Sequence, residues 1–202
     1  MRVLEAFSGR LDRDLNLAER IFNRPEVLAY AVGAGLVLAV VGLVVGRLLG
    51  WRPFSTALSL GSLGGVLAVT LVRVGRSGGE AVSLGEAWAS CIPNEFSLAG
   101  SWQRLNFVLL MPFAFFAARA LRRFLPAALL SVGLAVGIEL YQGMTGLGAC
   151  ETQDMINNGL GGVLAAGLGY ALSGGRRGGG RLRNTTPPSS TGQQLTWSST
   201  AR

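Results

Sequence analysis

Residues 27–46 read VLAYAVGAGLVLAVVGLVVG, and this stretch decides the fold class because it contains no charged side chain. A helix of about twenty residues is about 30 Å long, which is the thickness of the hydrocarbon core of a bilayer. Backbone polar groups in lipid must be paired within the protein, and the stretch is about twice as long as a strand of a membrane barrel. The stretch therefore predicts a membrane-spanning helix.

Four further apolar stretches predict a polytopic, all-α membrane helix bundle with about five transmembrane helices. They cover residues 54–72, 102–121, 124–147 and 155–175. The composition agrees, because half of the chain is hydrophobic and only 14% is charged, against about 25% charged in soluble domains. The predicted order is an amphipathic segment on the membrane surface (1–26), two transmembrane helices (27–74), an extracytoplasmic loop (75–101), a three-helix core (102–175) and a disordered basic tail (176–202).

Glycines recur at four-residue spacing within three of these spans. The pairs are Gly42 with Gly46, Gly61 with Gly65, and Gly133 with Gly137. Such pairs let two helices approach closely. Because the chain contains 30 Gly, some pairs are expected by chance.

The composition also excludes several kinds of chemistry. The chain has no His and no Lys, which removes His-based acid–base catalysis, His-ligated metals, a Schiff-base Lys and a P-loop Lys. We therefore expect neither a metal nor a cofactor. The Arg residues lie mostly beside apolar spans or in the tail, where they act as topology signals rather than as a nucleic-acid surface.

The side of the membrane on which each loop lies is not decided by Arg, because the Arg count is nearly equal in the two orientations. Cys91 and Cys150 lie in two loops that share one face of a five-helix bundle. A disulfide between them would place that face outside, in an oxidising compartment; the alternative is two unpaired small residues. The tail and the loop at Arg122 and Arg123 would then be cytoplasmic. The N-terminal segment would lie outside, unless the first two apolar spans do not both cross.

Ionisable and amide side chains inside or beside the last three spans are candidates for a functional site. On the proposed topology all of them lie toward the outer leaflet, so they are expected to converge in one pocket. Two carboxylates with nearby amides could share a proton, bind a cation or act as acid and base, and whether the protein is an enzyme stays open. The candidates are Asn106, Glu139, Gln142, Asp154 and Asn158.

Each candidate also has a plain structural interpretation. Asp154 could have no role other than capping the helix that follows it. Asn106 and Asn158 could be interhelical hydrogen-bonding residues, worth about 0.6 kcal/mol each. Glu139 could simply be hydrated at the membrane interface. These interpretations explain less well why the polar residues of three spans lie at one depth.

Three motifs in this region resemble the VanZ-like family of bacterial membrane proteins: NFVLLMPFA from Asn106, IELYQG from Ile138 and ACETQDMINNGLGGVL from Ala149. The resemblance covers about residues 88–172. Leu110, Ala114 and Gly148 depart from the family pattern, and Gly148 replaces an Arg that would balance the carboxylates, so anion binding here is in doubt. The matching positions are Asn106, Pro112, Glu139, Gln142, Asp154, Asn158 and Gly161, of which Pro112 and Gly161 are structural, with Glu151 where the pattern has Asp.

The resemblance implies a multi-pass protein of the bacterial cytoplasmic membrane with a role in the cell envelope. The family is linked to teicoplanin-type glycopeptide resistance, and many high-GC members carry a similar Cys pair. The implied partners are membrane lipids and an envelope precursor or glycopeptide, with the oligomeric state open. The alternatives are a small transporter or ion pathway that uses Glu139 and Asp154, and a structural assembly protein. The sequence shows neither an inverted repeat nor the pair of broken helices typical of transporters.

Overall fold

The computed structural model describes residues 12–16, 19, 24–71 and 80–174 of the 202-residue chain. These residues form helices and no strand, which confirms the predicted all-α bundle. Most of the predicted amphipathic segment and the whole predicted basic tail lie outside the described residues. Besides a short helical stretch at residues 12–16, the helices are α1 (Pro25–Leu48), α2 (Pro53–Leu71), α3 (Leu84–Ala89), α4 (Ser101–Leu109), α5 (Met111–Leu121), α6 (Phe124–Thr145) and α7 (Thr152–Leu172).

Four of the predicted spans are long and apolar enough to cross a membrane: α1, α2, α4 together with α5, and α6. The fifth predicted span forms α7, whose 21 residues make a helix about 31 Å long. Asp154, Asn157 and Asn158 lie in its first half, so α7 is less apolar than the others. It packs against α4, α5 and α6, and its polar residues are thereby kept away from lipid.

The third span is not one continuous helix, because α4 ends at Leu109 and α5 begins at Met111. Pro112 explains the break: it has no N–H to donate to the carbonyl of Val108, and its ring crowds that carbonyl. Leu110 between the two helices is fully buried. The sequence predicts one apolar span over residues 102–121 with Pro112 inside it; the span is present as Ser101–Leu121, and the correction is that its helix is interrupted at Leu110.

The first two helices form a hairpin through the predicted glycine pair Gly42 and Gly46. A Cβ at Gly42 would lie 2.7 Å from the Cα of Ala57, and one at Gly46 would lie 2.6 Å from the Cα of Pro53. Among the helices, α1 packs only against α2 to any extent. Its remaining surface carries apolar side chains that are exposed in the described part of the chain, among them Leu36, Val37, Val40 and Val44.

Small residues fill the interface of α5, α6 and α7. Phe113 and seven alanines form one buried cluster, which lies in the half of the bundle where α5 ends and α6 begins: Ala114, Ala117, Ala118, Ala127, Ala128, Ala165 and Ala166. Three glycines of α7 let it approach so closely that an added Cβ would collide with a neighbour: Gly161, Gly162 and Gly169. Helix α7 is therefore packed tightly against α4, α5 and α6 at these positions.

The close approach at Gly161 gives a direct stability test. A Cβ at Gly161 would collide with the backbone carbonyl oxygen of Phe107, whereas a Cβ at Gly133 would meet nothing within 4 Å. We expect Gly161→Ala to destabilise the fold by about 1–3 kcal/mol through overpacking. Gly133→Ala is the matched control and is expected to be neutral or slightly stabilising, because Ala is the better helix former. Equal thermal stability of the two variants in detergent would contradict this packing.

The two ends of the bundle are distinguished by long-range contacts. Arg104, at the start of α4, forms two 2.7 Å hydrogen bonds with the carboxylate of Asp14, and these lower the pKa of Asp14 to about 2. Residues 12–16 therefore lie at the same end as the two Cys loops, which we call the disulfide face. At the opposite end Arg119 donates to the carbonyl of Leu172; we call this end, with Arg122 and Arg123, the arginine face.

Candidate functional site

Cys91 and Cys150 are joined by a disulfide, as the sequence predicted. The bond links the chain that follows α3 to the connection between α6 and α7. The helix α3 is well defined at its start, because Ser83 and Glu86 form a reciprocal capping box. Cys150 is buried, so the disulfide lies within the disulfide face rather than on its surface.

Residues 91–97 run along the beginning of α7 and are held there by hydrogen bonds. The Ile92 N–H donates to the carbonyl of Cys150 at 2.8 Å, and the Thr152 N–H donates to the carbonyl of Ile92 at 3.1 Å. The Asn94 N–H donates to the Thr152 hydroxyl at 2.7 Å. Further along α7, the Asn157 amide donates to the carbonyl of Ser97 at 3.1 Å. We call residues 91–97 the roof segment.

A cavity of about 400 Å³ lies next to this segment, between α2, α4, α6 and α7. All five polar residues that the sequence singled out line it, so the structure brings the predicted cluster together. Their role in function stays a prediction. The lining residues are Val69, Thr70, Trp102, Gln103, Leu105, Asn106, Leu109, Ile138, Glu139, Gln142, Glu151, Asp154 and Asn158.

The carboxylates and amides of the cavity are held by specific partners. Glu139 is only 3% exposed, and its Oε2 accepts a 3.2 Å hydrogen bond from the Glu151 N–H. Gln142, one turn further along α6, donates to the carbonyl of Thr70 at 2.8 Å. The Asp154 carboxylate interacts with the Asn106 side chain across α4 and α7. The cluster is therefore ordered by contacts between helices.

The purely structural roles considered for these residues agree with the structure only in part. Asp154 does not cap α7, because the N-cap position is occupied by Glu151. Glu139 is buried rather than hydrated at an interface. Asn106 does interact with Asp154 of the neighbouring helix, which agrees with a packing role and leaves its role in ligand binding a prediction.

Asn158 differs from the other cavity residues because its side-chain oxygen is fully buried and has no hydrogen-bond donor in the described part of the chain. The residue is 1% exposed, it lines the cavity, and its Oδ1 accepts no hydrogen bond from the residues that the structure describes. A buried polar atom without a partner costs about 1–3 kcal/mol. An acceptor without a donor is therefore buried beside the cavity.

The sequence missed part of the lining. Glu151 was noted only as an acidic match to the family pattern, and its backbone N–H turns out to hold Glu139. Asn157 was not singled out, although its amide anchors the roof segment; the paired Asn157 and Asn158 at the start of an apolar helix were the available signal. Thr70 accepts the Gln142 hydrogen bond with its backbone carbonyl. Because every residue has such a carbonyl, the sequence does not indicate this contact.

The charged residues that line the cavity are all acidic. Glu139, Glu151 and Asp154 line it, and none of the lining residues is an Arg. Among the residues described by the structure, no group of three or more His, Cys, Asp or Glu is placed to hold a metal ion. The cavity therefore suits a hydrogen-bond donor or an organic cation better than an anion.

Fold and site together define a polytopic, all-α membrane protein with a buried acidic cavity near one end of its helix bundle. Residues 81–173 match the family model described as VanZ/LLP1. The match runs from α3 to α7, a little under half of the chain, and confirms the predicted VanZ-like resemblance over that segment. Pro112 and Gly161 lie in it, at the helix break and at the close contact with Phe107. No curated protein and no solved structure matches the chain.

Proposed function

We propose that this chain is a multi-pass protein of the bacterial cytoplasmic membrane that acts at the cell envelope. It binds the polar part of a lipid-linked precursor or a glycopeptide in the acidic cavity and thereby supports teicoplanin-type resistance. The observation that carries the proposal is the convergence of Asn106, Glu139, Gln142, Asp154 and Asn158 in one cavity. Intramembrane polar groups are expensive, so a cluster of them is a functional-site hypothesis by default.

The location of the cavity supports an extracytoplasmic ligand. The cavity lies beside the disulfide between Cys91 and Cys150, and disulfides persist in oxidising compartments. The disulfide face is therefore proposed to be outside, with the cavity near the outer leaflet. The arginine face, with Arg122 and Arg123, is proposed to be cytoplasmic, in agreement with the preference of Arg for that side.

An ion or proton pathway through Glu139 and Asp154 is the second candidate. The break at Leu110 favours it, because discontinuous helices are typical of transporters. The packing beyond the cavity opposes it, since Phe113 and seven alanines form an apolar cluster there, and the buried Ser131 hydroxyl beside it is a single neutral group that cannot replace the hydration of an ion. Binding at one face is therefore the better supported function.

Susceptibility of a deletion strain tests the proposal. We expect loss of the gene to lower the inhibitory concentration of a teicoplanin-type glycopeptide, and re-expression of the wild-type chain to restore it. The control is an antibiotic with a cytoplasmic target, whose inhibitory concentration should not change. Unchanged glycopeptide susceptibility, combined with Glu139-dependent proton flux in proteoliposomes, would overturn the proposal in favour of the second candidate.

A further inference from the structure

An apolar groove of about 760 Å³ lies on the outer surface of the bundle between α2 and α6. These two helices touch at few positions, so a gap remains between them. Gly133 and Gly137 lie in this groove, and a Cβ at either would meet nothing within 4 Å. The predicted pair Gly133 and Gly137 therefore does not support helix contact within the described part of the chain; it leaves room for another molecule. The lining residues are Leu67, Leu71, Pro126, Leu129, Leu130, Gly133, Leu134, Gly137, Ile138 and Tyr141.

The groove adjoins the acidic cavity. Ile138 lines both, and the residues next to the groove positions Leu71 and Tyr141, namely Thr70 and Gln142, line the cavity. From Pro126 to Tyr141 the groove follows α6 for about 22 Å, at 1.5 Å per residue. That exceeds the roughly 15 Å of hydrocarbon in one leaflet. Ile138 therefore stands between the groove and the cavity, and a molecule whose apolar chain lies in the groove would reach the cavity with its polar end past this side chain.

The chemistry of the polar end follows from the acceptor groups around the cavity. Glu139 lines the cavity and uses Oε2 to accept the hydrogen bond from the Glu151 N–H, and Asn158 Oδ1 is buried beside the cavity without a donor among the described residues. The carboxylates of Glu151 and Asp154 also line the wall. Carboxylates and carbonyl oxygens accept hydrogen bonds, and an ammonium group supplies three donors and a positive charge. None of the lining residues is a cation that could pair with a phosphate or carboxylate, so the part of the ligand inside the cavity is its ammonium group.

We propose that the chain binds a bilayer amphiphile that carries a primary ammonium group, with the ammonium in the acidic cavity and the hydrocarbon chain in the groove between α2 and α6. The inference rests on the proposed function, because it names the chemical class of ligand that the same cavity binds. It adds the groove as the second half of the site.

The ammonium site in the cavity is tested with two amphiphiles that have the same hydrocarbon chain and different head groups. The full-length chain in phosphatidylglycerol nanodiscs is titrated with hexadecylamine and with hexadecyltrimethylammonium, and bound amphiphile is counted by native mass spectrometry. Both probes carry one positive charge and concentrate equally at an anionic bilayer, but only the amine donates hydrogen bonds. We expect the amine to bind at least about tenfold more tightly. Glu139→Gln should remove most of that preference. Equal binding of the two probes would overturn the inference.

The apolar half is tested by filling the groove. Gly137→Leu places a side chain in the groove without a clash at Cβ, and Gly65→Leu is the matched control, because Gly65 also has open space around its Cβ and does not line the groove. We expect Gly137→Leu to weaken hexadecylamine binding about tenfold and Gly65→Leu to leave it unchanged. Equal affinities of the two variants would overturn the groove assignment.

A shorter amine shows whether the ligand comes from the bilayer or from solution. Butylamine has the same ammonium group and too short a chain to fill the groove, so we expect it to bind far more weakly than hexadecylamine. Butylamine binding as tight as that of hexadecylamine would overturn the bilayer source. None of these overturning results touches the proposed envelope function, which the susceptibility of the deletion strain decides separately.

Discussion

Glu139→Gln and Asp154→Asn are each expected to abolish the activity of the protein in the cell while leaving it folded and inserted. Both changes are nearly isosteric and remove only a charge, so the packing of α6 and α7 should hardly change. The amide introduced by Glu139→Gln would still accept the hydrogen bond from the Glu151 N–H. The amide introduced by Asp154→Asn could still pair with the side chain of Asn106. The loss would therefore report on the charge of the cavity.

Complementation of the deletion strain at equal membrane levels measures this effect. Because the two carboxylates line one cavity, the double variant is expected to lose little more than either single variant. Glu95→Gln is the matched control, since Glu95 is an exposed carboxylate in the roof segment and is not among the cavity residues. If the cluster only fixes helix packing, Glu139→Gln would complement fully, and that outcome would contradict a binding role.

Loss of the disulfide is expected to have the second largest effect. The bond closes a loop with a sequence separation of 59 residues, for which the chain-entropy model gives about 4 kcal/mol. Cys91→Ser and Cys150→Ser should each destabilise the protein by an amount of this order and loosen the roof segment at the beginning of α7. Thermal unfolding of the purified protein, with and without a reductant, measures the change, and the variants should be insensitive to the reductant.

Thiol labelling in native membranes provides the control for this prediction. Under non-reducing conditions neither Cys should react with a thiol reagent, and both should react after reduction and denaturation. Modification of both Cys91 and Cys150 in untreated membranes would show that the bond is absent in the cell. The proposed outside location of the disulfide face would then lose its main support.

The helices and the polar cluster could be predicted because their signals are local. Uncharged runs such as residues 27–46 identify spanning helices by length alone. The spacing of Glu139 and Gln142, and of Asp154 and Asn158, places each pair on one helix face. Alternating direction from span to span then brings the three faces to the same depth, which is where the cavity lies.

Features that depend on tertiary contacts could not be predicted from the sequence. The contact of Gln142 with the carbonyl of Thr70 depends on how α2 lies against the rest of the bundle. The pairs Gly42–Gly46 and Gly133–Gly137 look alike in sequence, yet only the first lies in a helix contact. Pro112 makes a helix break near Leu110 possible, but a membrane helix also tolerates proline without a break. Which of these outcomes occurs is decided by the neighbouring helices.

The most direct test of the central claim is the identity of what co-purifies with the protein. Mass spectrometry of lipid and glycan extracts from the wild-type chain and from Glu139→Gln, purified side by side from the native membrane, would compare a complete cavity with one that lacks a charge. A cavity that binds an envelope ligand predicts an amphiphile enriched with the wild-type chain and lost from the variant. An identical set of bulk lipids in both samples would contradict the claim.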